Sequence, residues 1–276
     1  MAITQPIILI TDLDGTLLDH DTYQFDAASP ALALLKQFHI PLILNSSKTA
    51  AEIMAIRDEM DNNDPFVVEN GSGIYYPVDQ NGSHEDYKLV QFGKDRPSIL
   101  FTLRRLREEL DLPFYGFDDM NALAVTKCTG LTLERAARAK QRDFTEPLLW
   151  QGSTAQWEIF CAALEQAGLI AVKGGRFVSV SGKTNKGRAL QWLRDYYQQR
   201  LRAVPVIVAL GDSENDRQML ECADYAVLVR SPSHSPPQIA TKNLTLTSDT
   251  GPQGWNQSVI DLLKKFKLLD YGNIYG

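Results

Sequence analysis

The first third of the chain alternates short apolar runs with amphipathic segments. Apolar runs at residues 6–11, 41–45 and 66–69 predict buried strands. The segments 30–38 and 50–60 between them have the apolar spacing of helices. Nearly continuous apolar strands separated by helices are typical of a parallel sheet that helices cover on both faces. The pattern therefore predicts an α/β fold with a doubly wound parallel sheet.

A polar stretch, DQNGSHED at residues 79–86, interrupts this pattern with an Asn-Gly turn signal. The segment that follows has its own predicted strand at residues 88–92 and a predicted helix at 97–110. A second predicted helix begins after Thr132, whose hydroxyl suits an N-cap. These elements are typical of a domain inserted into the parallel-sheet core.

The parallel-sheet pattern returns in the last third of the chain. Residues 184–197 have the apolar stripe of an amphipathic helix, and VPVIVAL at 204–210 is a strongly strand-like run. We therefore expect two domains, a core of residues 1–84 and 184–276 and an inserted domain of residues 85–183.

Composition and charge narrow the class of protein. The 276 residues are 44% hydrophobic and 22% charged, as in ordinary soluble globular proteins. The formal net charge of -6 argues against a nucleic-acid partner, which would require a basic surface. No run approaches the roughly 18 apolar residues of a membrane span, so we expect no membrane partner.

The three cysteines, Cys128, Cys161 and Cys222, are far apart in the sequence. They predict neither a disulfide framework nor a thiolate zinc site. Together with an amino terminus that lacks a signal-peptide pattern, they predict a cytoplasmic protein. We expect it to be a monomer or a weak homodimer.

Polar side chains follow three of the predicted strands. Asp12, Asp14 and Thr16 follow the first strand, and two further clusters lie at residues 45–48 and 212–216. Because ligands of open parallel sheets bind at the carboxyl ends of the strands, we expect these clusters to meet. Carboxylates grouped with hydroxyls and a lysine indicate a site for a hard cation and a phosphate.

Other known motifs with similar letters fail on spacing. DLDGT and DSENDR lack the glycine placement of a calcium loop. SVSGKT lacks the first glycine of a phosphate-binding P-loop, because Phe177 stands at that position. None of the four histidines has metal-ligand spacing.

Four short motifs, DLDGT, LNSSK, the lysine of TNKG and GDSEND, occur in the order found in the haloacid dehalogenase superfamily of aspartate-nucleophile phosphohydrolases. More narrowly, SSKT, VENGSGIY, RDFTEP, GGRF and TGPQGW resemble the mannosyl-3-phosphoglycerate phosphatase family over nearly the whole chain. The resemblance implies a doubly wound parallel-sheet haloacid dehalogenase-like core with an inserted α/β cap domain that selects the substrate.

The same resemblance implies a nucleophile and a metal site. Asp12 would attack phosphorus and form an aspartyl-phosphate, which splits hydrolysis into two displacements. Mg²⁺ would be bound by the Asp12 side chain, the Asp14 backbone carbonyl and Asp212, with Asp216 holding coordinated water. Asp14 would protonate the leaving oxygen and then deprotonate the attacking water.

Four further residues acquire catalytic roles from the resemblance. Ser46 and Lys186 would hold the oxygens of the transferring phosphoryl group, by hydrogen bond and by charge. Thr16 would orient the proton exchange at Asp14, and Asn215 would orient the nucleophile or the phosphate. Lys183 competes with Lys186, which we prefer because the family's lysine directly precedes the glycine that opens a helix.

The substrate-binding candidates come from the remaining motifs. Arg176 of GGRF could bind a glycerate carboxylate, because a guanidinium pairs with a carboxylate in a bidentate way. Ser47 and Lys48 of SSKT are further candidates. Glu146 of RDFTEP could accept hydrogen bonds from sugar hydroxyls.

The resemblance thus implies a Mg²⁺-dependent phosphatase that converts mannosyl-3-phosphoglycerate to mannosylglycerate, a compatible solute. Two alternatives keep the fold and the chemistry, namely a phosphatase for glucosyl-3-phosphoglycerate or one for simpler sugar phosphates. A third alternative is a catalytically idle phosphosugar-binding regulator.

Overall fold

A computed structural model of the protein describes residues 5–78, 87–174 and 176–269. Contacts divide the chain into two compact units. The first unit consists of Met1–Ser46, Asp64–Phe66 and Asn185–Gly276. The second consists of Ser47–Asn63 and Val67–Thr184.

The described residues contain twelve strands. They are β1 (Ile7–Thr11), β2 (Leu42–Asn45), β3 (Phe66–Val68), β4 (Gly73–Pro77), β5 (Tyr87–Gln91), β6 (Phe114–Gly116), β7 (Thr145–Trp150), β8 (Leu169–Lys173), β9 (Val178–Gly182), β10 (Val206–Gly211), β11 (Tyr225–Arg230) and β12 (Leu244–Thr250).

Nine α-helices lie in the same described ranges. They are α1 (Ser29–Gln37), α2 (Ala50–Met60), α3 (Arg96–Leu110), α4 (Ala122–Thr129), α5 (Leu133–Ala139), α6 (Thr154–Gln166), α7 (Lys186–Leu201), α8 (Arg217–Cys222) and α9 (Gly251–Lys265).

The first unit contains a parallel sheet in the order β12-β11-β10-β1-β2. Strand β1 pairs with β10 from Ile7↔Val206 to Thr11↔Leu210, and Thr11 also pairs with Leu44 of β2. The carboxyl ends of these three strands therefore lie side by side. All residues of β1 and β10 are buried, as expected for strands covered on both faces.

Two pairs of helices pack within this unit, α1 with α9 and α7 with α8. Helix α9 contributes Trp255, which is fully buried and donates a hydrogen bond from Nε1 to Thr11 Oγ1 at 3.0 Å. The Thr11 hydroxyl donates in turn to the Asp12 carbonyl at 2.8 Å. A buried indole is thus linked to the end of β1, where the first polar cluster begins.

The second unit contains an antiparallel sheet in the order β6-β7-β9-β8 and an antiparallel hairpin of β4 and β5. Its core includes Phe114, Leu148 and Phe160. Trp150 stacks on Phe160 with ring centroids 5.0 Å apart. Aromatic and aliphatic side chains from helices and sheet thus give this unit a hydrophobic core of its own.

The predicted α/β fold class is confirmed, and so is the parallel sheet. Helix α2 has the predicted bounds, because Thr49 and Glu52 form a capping box at its start. Thr132 caps α5 as predicted, its side chain accepting from the Arg135 N–H.

The division into units differs from the predicted domains, whose core extended to residue 84. Residues 47–63 and 67–78 group with the second unit. Residues 67–78 do so because β4 pairs with β5 from Gly73↔Gln91 onward. Residues 47–63 do so because α2 packs on α5 and the Thr49 hydroxyl donates to the Arg138 carbonyl. The predicted boundary between residues 84 and 85 lies outside the described residues. The assignment of residues 85–183 to a separate cap stays a prediction.

Two further features were examined by the sequence predictions, namely membrane-spanning helices and disulfide bonds. Within the described part of the chain, none of the helices combines the length and apolar character needed to cross a membrane. The three cysteines are all free thiols.

Candidate active site

The first polar cluster follows β1 in a tight turn. The Asp12 N–H donates to the Leu210 carbonyl at 2.9 Å, which continues the β1–β10 ladder by one residue. The Leu18 N–H then donates to the Leu13 carbonyl at 2.8 Å. The side chains of Leu13 and Leu18 are both buried. The two buried leucines thus hold Asp14 within this turn at the carboxyl end of β1.

Gly15 makes the turn possible. Its φ of +75° lies in the left-handed region that side chains disfavour. A Cβ atom at this position would lie 2.7 Å from Asp212 Oδ2. The DLDGT turn therefore needs glycine for its backbone conformation and for the close approach of Asp212.

Three buried carboxylates meet at the ends of β1 and β10. One oxygen each of Asp12, Asp212 and Asp216 lies within 4.8 Å of the others. Asp216 is held by its second oxygen, which accepts from the backbone N–H groups of Asp212 and Ser213, both at 3.1 Å. The GDSEND turn thus fixes one carboxylate with its own backbone.

Lys186 lies at the start of α7, which Asn185 caps. Its fully buried ammonium donates to Asp12 Oδ1 at 2.5 Å and to Asp216 Oδ1 at 2.6 Å. The Lys186 carbonyl accepts from Asn45 Nδ2 at 3.2 Å. The lysine of TNKG is therefore brought to the carboxylates at the ends of β1 and β10.

Burial and charge shift the pKa values of these groups. Burial, followed by repulsion from Asp216, raises the pKa of Asp12 well above its ordinary value. The same two causes raise the pKa of Asp212. Burial alone would lower the pKa of Lys186, but contact with Asp12 and Asp216 outweighs burial and raises it. The lysine therefore stays charged, and its one positive charge does not offset the mutual repulsion of the carboxylates.

This arrangement fits a divalent metal ion. Carboxylate oxygens are the ligands that hard cations prefer. The three carboxylates of Asp12, Asp212 and Asp216 are faced by the single buried ammonium of Lys186, so negative charge remains in excess when they ionise. A cation would offset the repulsion that raises the carboxylate pKa values.

Asp212 has two further side-chain neighbours. The Thr16 hydroxyl donates to Asp212 Oδ1 at 3.4 Å, and His234 Nε2 lies 3.2 Å from Asp212 Oδ2. The sequence reasoning missed His234, because it lies 22 residues beyond Asp212 in a Pro/Ser-rich loop and has no recognisable spacing. The one available signal was the position of His234 in the loop that follows β11, the strand beside β10.

The other catalytic candidates lie in the same unit. Ser46 is fully buried and directly follows Asn45, the last residue of β2. Asn215 lies in the short turn before α8, where its Oδ1 accepts from Ser213 Oγ at 2.5 Å. Their roles in phosphate binding and orientation stay predictions.

Two substrate-binding candidates, Ser47 and Lys48, precede the cap of α2. The Ser47 carbonyl accepts from Arg142 Nη2 at 2.7 Å. The Lys48 carbonyl accepts from the Glu69 N–H at 3.0 Å. The structure thus fixes the backbone of this segment within the second unit, and the substrate contacts of its side chains stay predictions.

Glu146 is buried in the second unit and has internal partners. Its Oε2 lies 2.8 Å from Arg96 Nη2, and its Oε1 accepts from the Asp118 N–H at 2.7 Å. Burial raises its pKa, although both partners act in the opposite direction. The predicted contact with a sugar gains no support from this geometry and stays a prediction.

Arg176 binds the carboxyl end of α4. Its Nη1 and Nη2 donate to the carbonyls of Cys128 and Thr129, at 3.0 and 2.9 Å. These contacts satisfy carbonyls that a helix end leaves without partners. The predicted bond to a glycerate carboxylate stays a prediction.

The competing lysine lies elsewhere. The Lys183 side chain is more than half exposed, and its Nζ lies 3.5 Å from Glu165 Oε1 in the second unit. Of the two lysines in SGKTNKG, Lys186 is therefore the one whose ammonium contacts the carboxylates.

The fold and this cluster of carboxylates and lysine define a class of hydrolase. The chain belongs to the haloacid dehalogenase-like hydrolase family, whose family model matches residues 9–120 and 140–251. The resemblance inferred from the four motifs is confirmed.

Two curated relatives match nearly the full length of the chain. The chain is 39% identical over 266 residues to a protein of Methanococcoides burtonii, which covers 94% of this chain and 97% of that protein. It is 32% identical over 268 residues to one of Persephonella marina, with 95% and 98% covered. Both are named glucosyl-3-phosphoglycerate/mannosyl-3-phosphoglycerate phosphatase. The predicted enzyme class, a phosphoric monoester hydrolase, is confirmed.

A solved structure shows the same fold. A phosphatase of the haloalkanoate enzyme superfamily from Bacteroides thetaiotaomicron matches with a TM-score of 0.66 at 19% identity. The match covers 96% of each chain.

Proposed function

We propose that the protein is a Mg²⁺-dependent phosphatase that hydrolyses mannosyl-3-phosphoglycerate to mannosylglycerate and phosphate. The observation that carries the proposal is the contact of Lys186 Nζ with both Asp12 and Asp216, at 2.5 and 2.6 Å. A buried ammonium beside a carboxylate nucleophile suits the binding of a phosphoryl group. The names of the two full-length relatives support the substrate class.

In the first displacement, an oxygen of Asp12 attacks phosphorus. A bond forms between that oxygen and phosphorus while the bond from phosphorus to the ester oxygen breaks, and the electron pair stays on the leaving oxygen. Asp14 donates the proton that this oxygen needs. Lys186 and Ser46 hold the oxygens of the phosphoryl group in line.

In the second displacement, water attacks the phosphorus of the aspartyl-phosphate. Asp14 takes the proton from the water, and the bond between phosphorus and Asp12 breaks with its electron pair returning to the carboxylate. The cycle thus restores both carboxyl groups and releases phosphate.

Asp12, Asp212 and Asp216 are the side chains that would hold Mg²⁺, together with the backbone carbonyl of Asp14. When bound, the ion neutralises charge between the anionic nucleophile and the anionic phosphate. Thr16 and His234 hold the two oxygens of Asp212 in place for that role.

Glucosyl-3-phosphoglycerate is the second candidate substrate, because the names of both relatives give the glucosyl and the mannosyl compound together. The proposal further takes the protein to be cytoplasmic and a monomer or weak homodimer, as expected from the sequence. Sedimentation of the purified chain measures the last of these.

The test is phosphate release with and without Mg²⁺ from the mannosyl compound, the glucosyl compound and a panel of simple sugar phosphates. Preference for the mannosyl compound supports the proposal, whereas preference for the glucosyl compound would keep the chemistry and replace the substrate. Equal rates on plain hexose phosphates would replace the substrate with a general sugar phosphate. No release from any phosphomonoester would favour a phosphosugar-binding regulator.

A further inference from the structure

The motifs VENGSGIY and RDFTEP meet in the second unit through a buried glutamate. Glu69 is fully buried and has a φ of 49°, in the left-handed region. Its Oε1 accepts from the Asp143 N–H at 2.8 Å. Its Oε2 accepts from the Phe144 N–H at 3.2 Å and from the Thr145 hydroxyl at 2.5 Å. Glu69 thus binds three consecutive residues of RDFTEP.

Arg142, the first residue of RDFTEP, extends this network. Its side chain is 9% exposed, and its Nε lies 3.5 Å from Glu69 Oε2 and 2.7 Å from Thr145 Oγ1. Its Nη1 donates to the Ala139 carbonyl at 3.3 Å, and its Nη2 donates to the Ser47 carbonyl at 2.7 Å. One guanidinium therefore joins the glutamate to the SSKT motif.

The segment 47–49 is held at each of its residues. Arg142 binds the Ser47 carbonyl, and the Glu69 N–H binds the Lys48 carbonyl at 3.0 Å. The Thr49 hydroxyl donates to the Arg138 carbonyl at 3.0 Å. Three consecutive residues are thus fixed by groups that lie far away in the sequence.

This network goes beyond what helix α2 requires. The capping box of Thr49 and Glu52 already satisfies the start of the helix. Fixing the Ser47 and Lys48 carbonyls adds nothing to the cap, but it sets the backbone orientation directly after Ser46. An arginine is suited to the task, because its planar fork reaches several acceptors at fixed angles and a lysine cannot.

We propose that Glu69 and Arg142 are a positioning pair for the phosphate-binding segment Ser46–Ser47–Lys48. The inference rests on the proposed function, in which Ser46 binds the phosphoryl group, and on the prediction that Ser47 and Lys48 contact the substrate. Loss of the pair would let the segment shift, and a shift of about 1 Å costs on the order of 10²-fold in catalysis.

The test compares Arg142→Lys, Arg142→Met and Glu69→Gln with wild type. For each variant that melts cooperatively above the assay temperature, KM and kcat are measured with the most active phosphomonoester, along with the inhibition constant of inorganic phosphate. We expect KM and the phosphate inhibition constant to rise together by about tenfold or more in Arg142→Met. We expect kcat/KM to fall by about 10²-fold, and Arg142→Lys to recover part of the loss.

Arg194→Lys is the matched control. Arg194 also bridges a carboxylate and backbone carbonyls, since its Nη1 lies 3.0 Å from Asp224 Oδ2 and its Nη2 donates to the Cys222 carbonyl at 3.2 Å. This variant should lose stability with unchanged KM and phosphate inhibition. A merely structural role of Arg142 would give the same result as this control.

The outcomes separate the two proposals. Wild-type protein that releases no phosphate from any phosphomonoester overturns the proposed function. The positioning pair is overturned if the wild type is active and both Glu69→Gln and Arg142→Lys have its KM and its phosphate inhibition constant. Glu69→Gln keeps the size and shape of the side chain and Arg142→Lys keeps its positive charge, so these two substitutions provide milder variants if Arg142→Met does not fold. Additive effects of Glu69→Gln and Arg142→Met would likewise contradict a shared role.

Discussion

The ammonium of Lys186 lies 2.5 Å from Asp12 Oδ1, at the point where α7 begins and β1 has just ended. The same ammonium lies 2.6 Å from Asp216 Oδ1. One cation thus joins the end of the first strand to the turn that follows β10, although 174 residues separate Lys186 from Asp12. It restrains Asp12, the proposed nucleophile, and offsets part of the repulsion among the buried carboxylates.

Replacing this cation tests its role directly. We expect Lys186→Met to lower kcat by roughly 10²- to 10³-fold, because the variant loses the preorganised positive charge that would contact the phosphoryl group. The metal-free protein should also lose about 3–5 kcal/mol of unfolding free energy, since two buried carboxylates lose their partner. Steady-state kinetics and chemical denaturation measure the two effects.

Lys183→Met is the companion variant, because the sequence left both lysines open. The Lys183 side chain is more than half exposed and its Nζ lies 3.5 Å from Glu165 Oε1, so we expect wild-type kinetics. If Lys183→Met loses turnover while Lys186→Met keeps it, the assignment of the lysine is wrong.

The nucleophile is tested by Asp12→Asn. We expect turnover to fall by more than about 10³-fold, because an amide cannot form the aspartyl-phosphate. The fold should persist, since the substitution removes one charge from a repelling cluster. Acid-quenched enzyme should contain phosphate bound at Asp12 in the wild type and none in the variant. Asp26→Asn, an exposed aspartate of the same unit, is the control. Full turnover in Asp12→Asn would remove Asp12 from the mechanism.

A comparison of alanine variants at two glycines distinguishes the effect of backbone strain from that of crowding at the site. Gly15 and Gly130 have similar φ values of +75° and +80°, but a Cβ at Gly15 would lie 2.7 Å from Asp212 Oδ2 and one at Gly130 would meet nothing within 4 Å. Both alanine variants should lose about 1 kcal/mol or more through φ alone. Gly15→Ala should in addition lose most of its turnover and its stabilisation by Mg²⁺.

The control Gly130→Ala should keep both of those properties. Differential scanning fluorimetry with and without Mg²⁺, together with turnover, provides the comparison. Equal stabilisation by Mg²⁺ in Gly15→Ala and wild type would show that Asp212 tolerates the added atom.

The sequence predicted the parts of the site that follow strands. Asp12 and Asp212 directly follow β1 and β10, and parallel pairing of continuous apolar runs is enough to bring such ends together. Lys186 was harder to assign, because Lys183 lies three residues before it. The structure separates the two, since Lys186 begins α7 and Lys183 comes before the helix.

Two long-range contacts that do not follow from strand pairing were not predictable. His234 reaches Asp212 from a loop with no periodicity, and Arg142 reaches Ser47 across 95 residues. Such contacts depend on tertiary packing, which leaves no local pattern in the chain.

The sequence pattern did not predict strand β7, because this strand contains Pro147. A proline lacks the N–H of a strand residue and argues against a central strand. The Phe117 N–H donates to the Pro147 carbonyl just beyond the end of β6 at Gly116. Because the N–H and C=O of a strand residue point to the same side, the missing donor breaks no bond with β9.

The pKa values of Asp12 and Asp212 give the last prediction, a dependence of stability on pH and metal. Both are raised above the ordinary 3.8 in the folded protein, chiefly by burial and by Asp216. Their contribution to the stability of the metal-free protein is therefore fully present below about pH 3.8 and is lost as pH rises through the raised values. Ionisation costs more in the folded state than in the unfolded chain.

We expect Mg²⁺ to reverse this trend, because the proposed ligands bind the ion in their ionised form. The increase in melting temperature that Mg²⁺ produces should be small in acid and should grow as pH rises through the same window. Asp12→Asn should show a smaller increase at every pH, since one ligand is gone. The measurement is the melting temperature with Mg²⁺ and with a chelator, over a series of buffers from acid to neutral pH. An increase that is independent of pH would mean that these carboxylates do not titrate on binding, and would contradict their place as ligands.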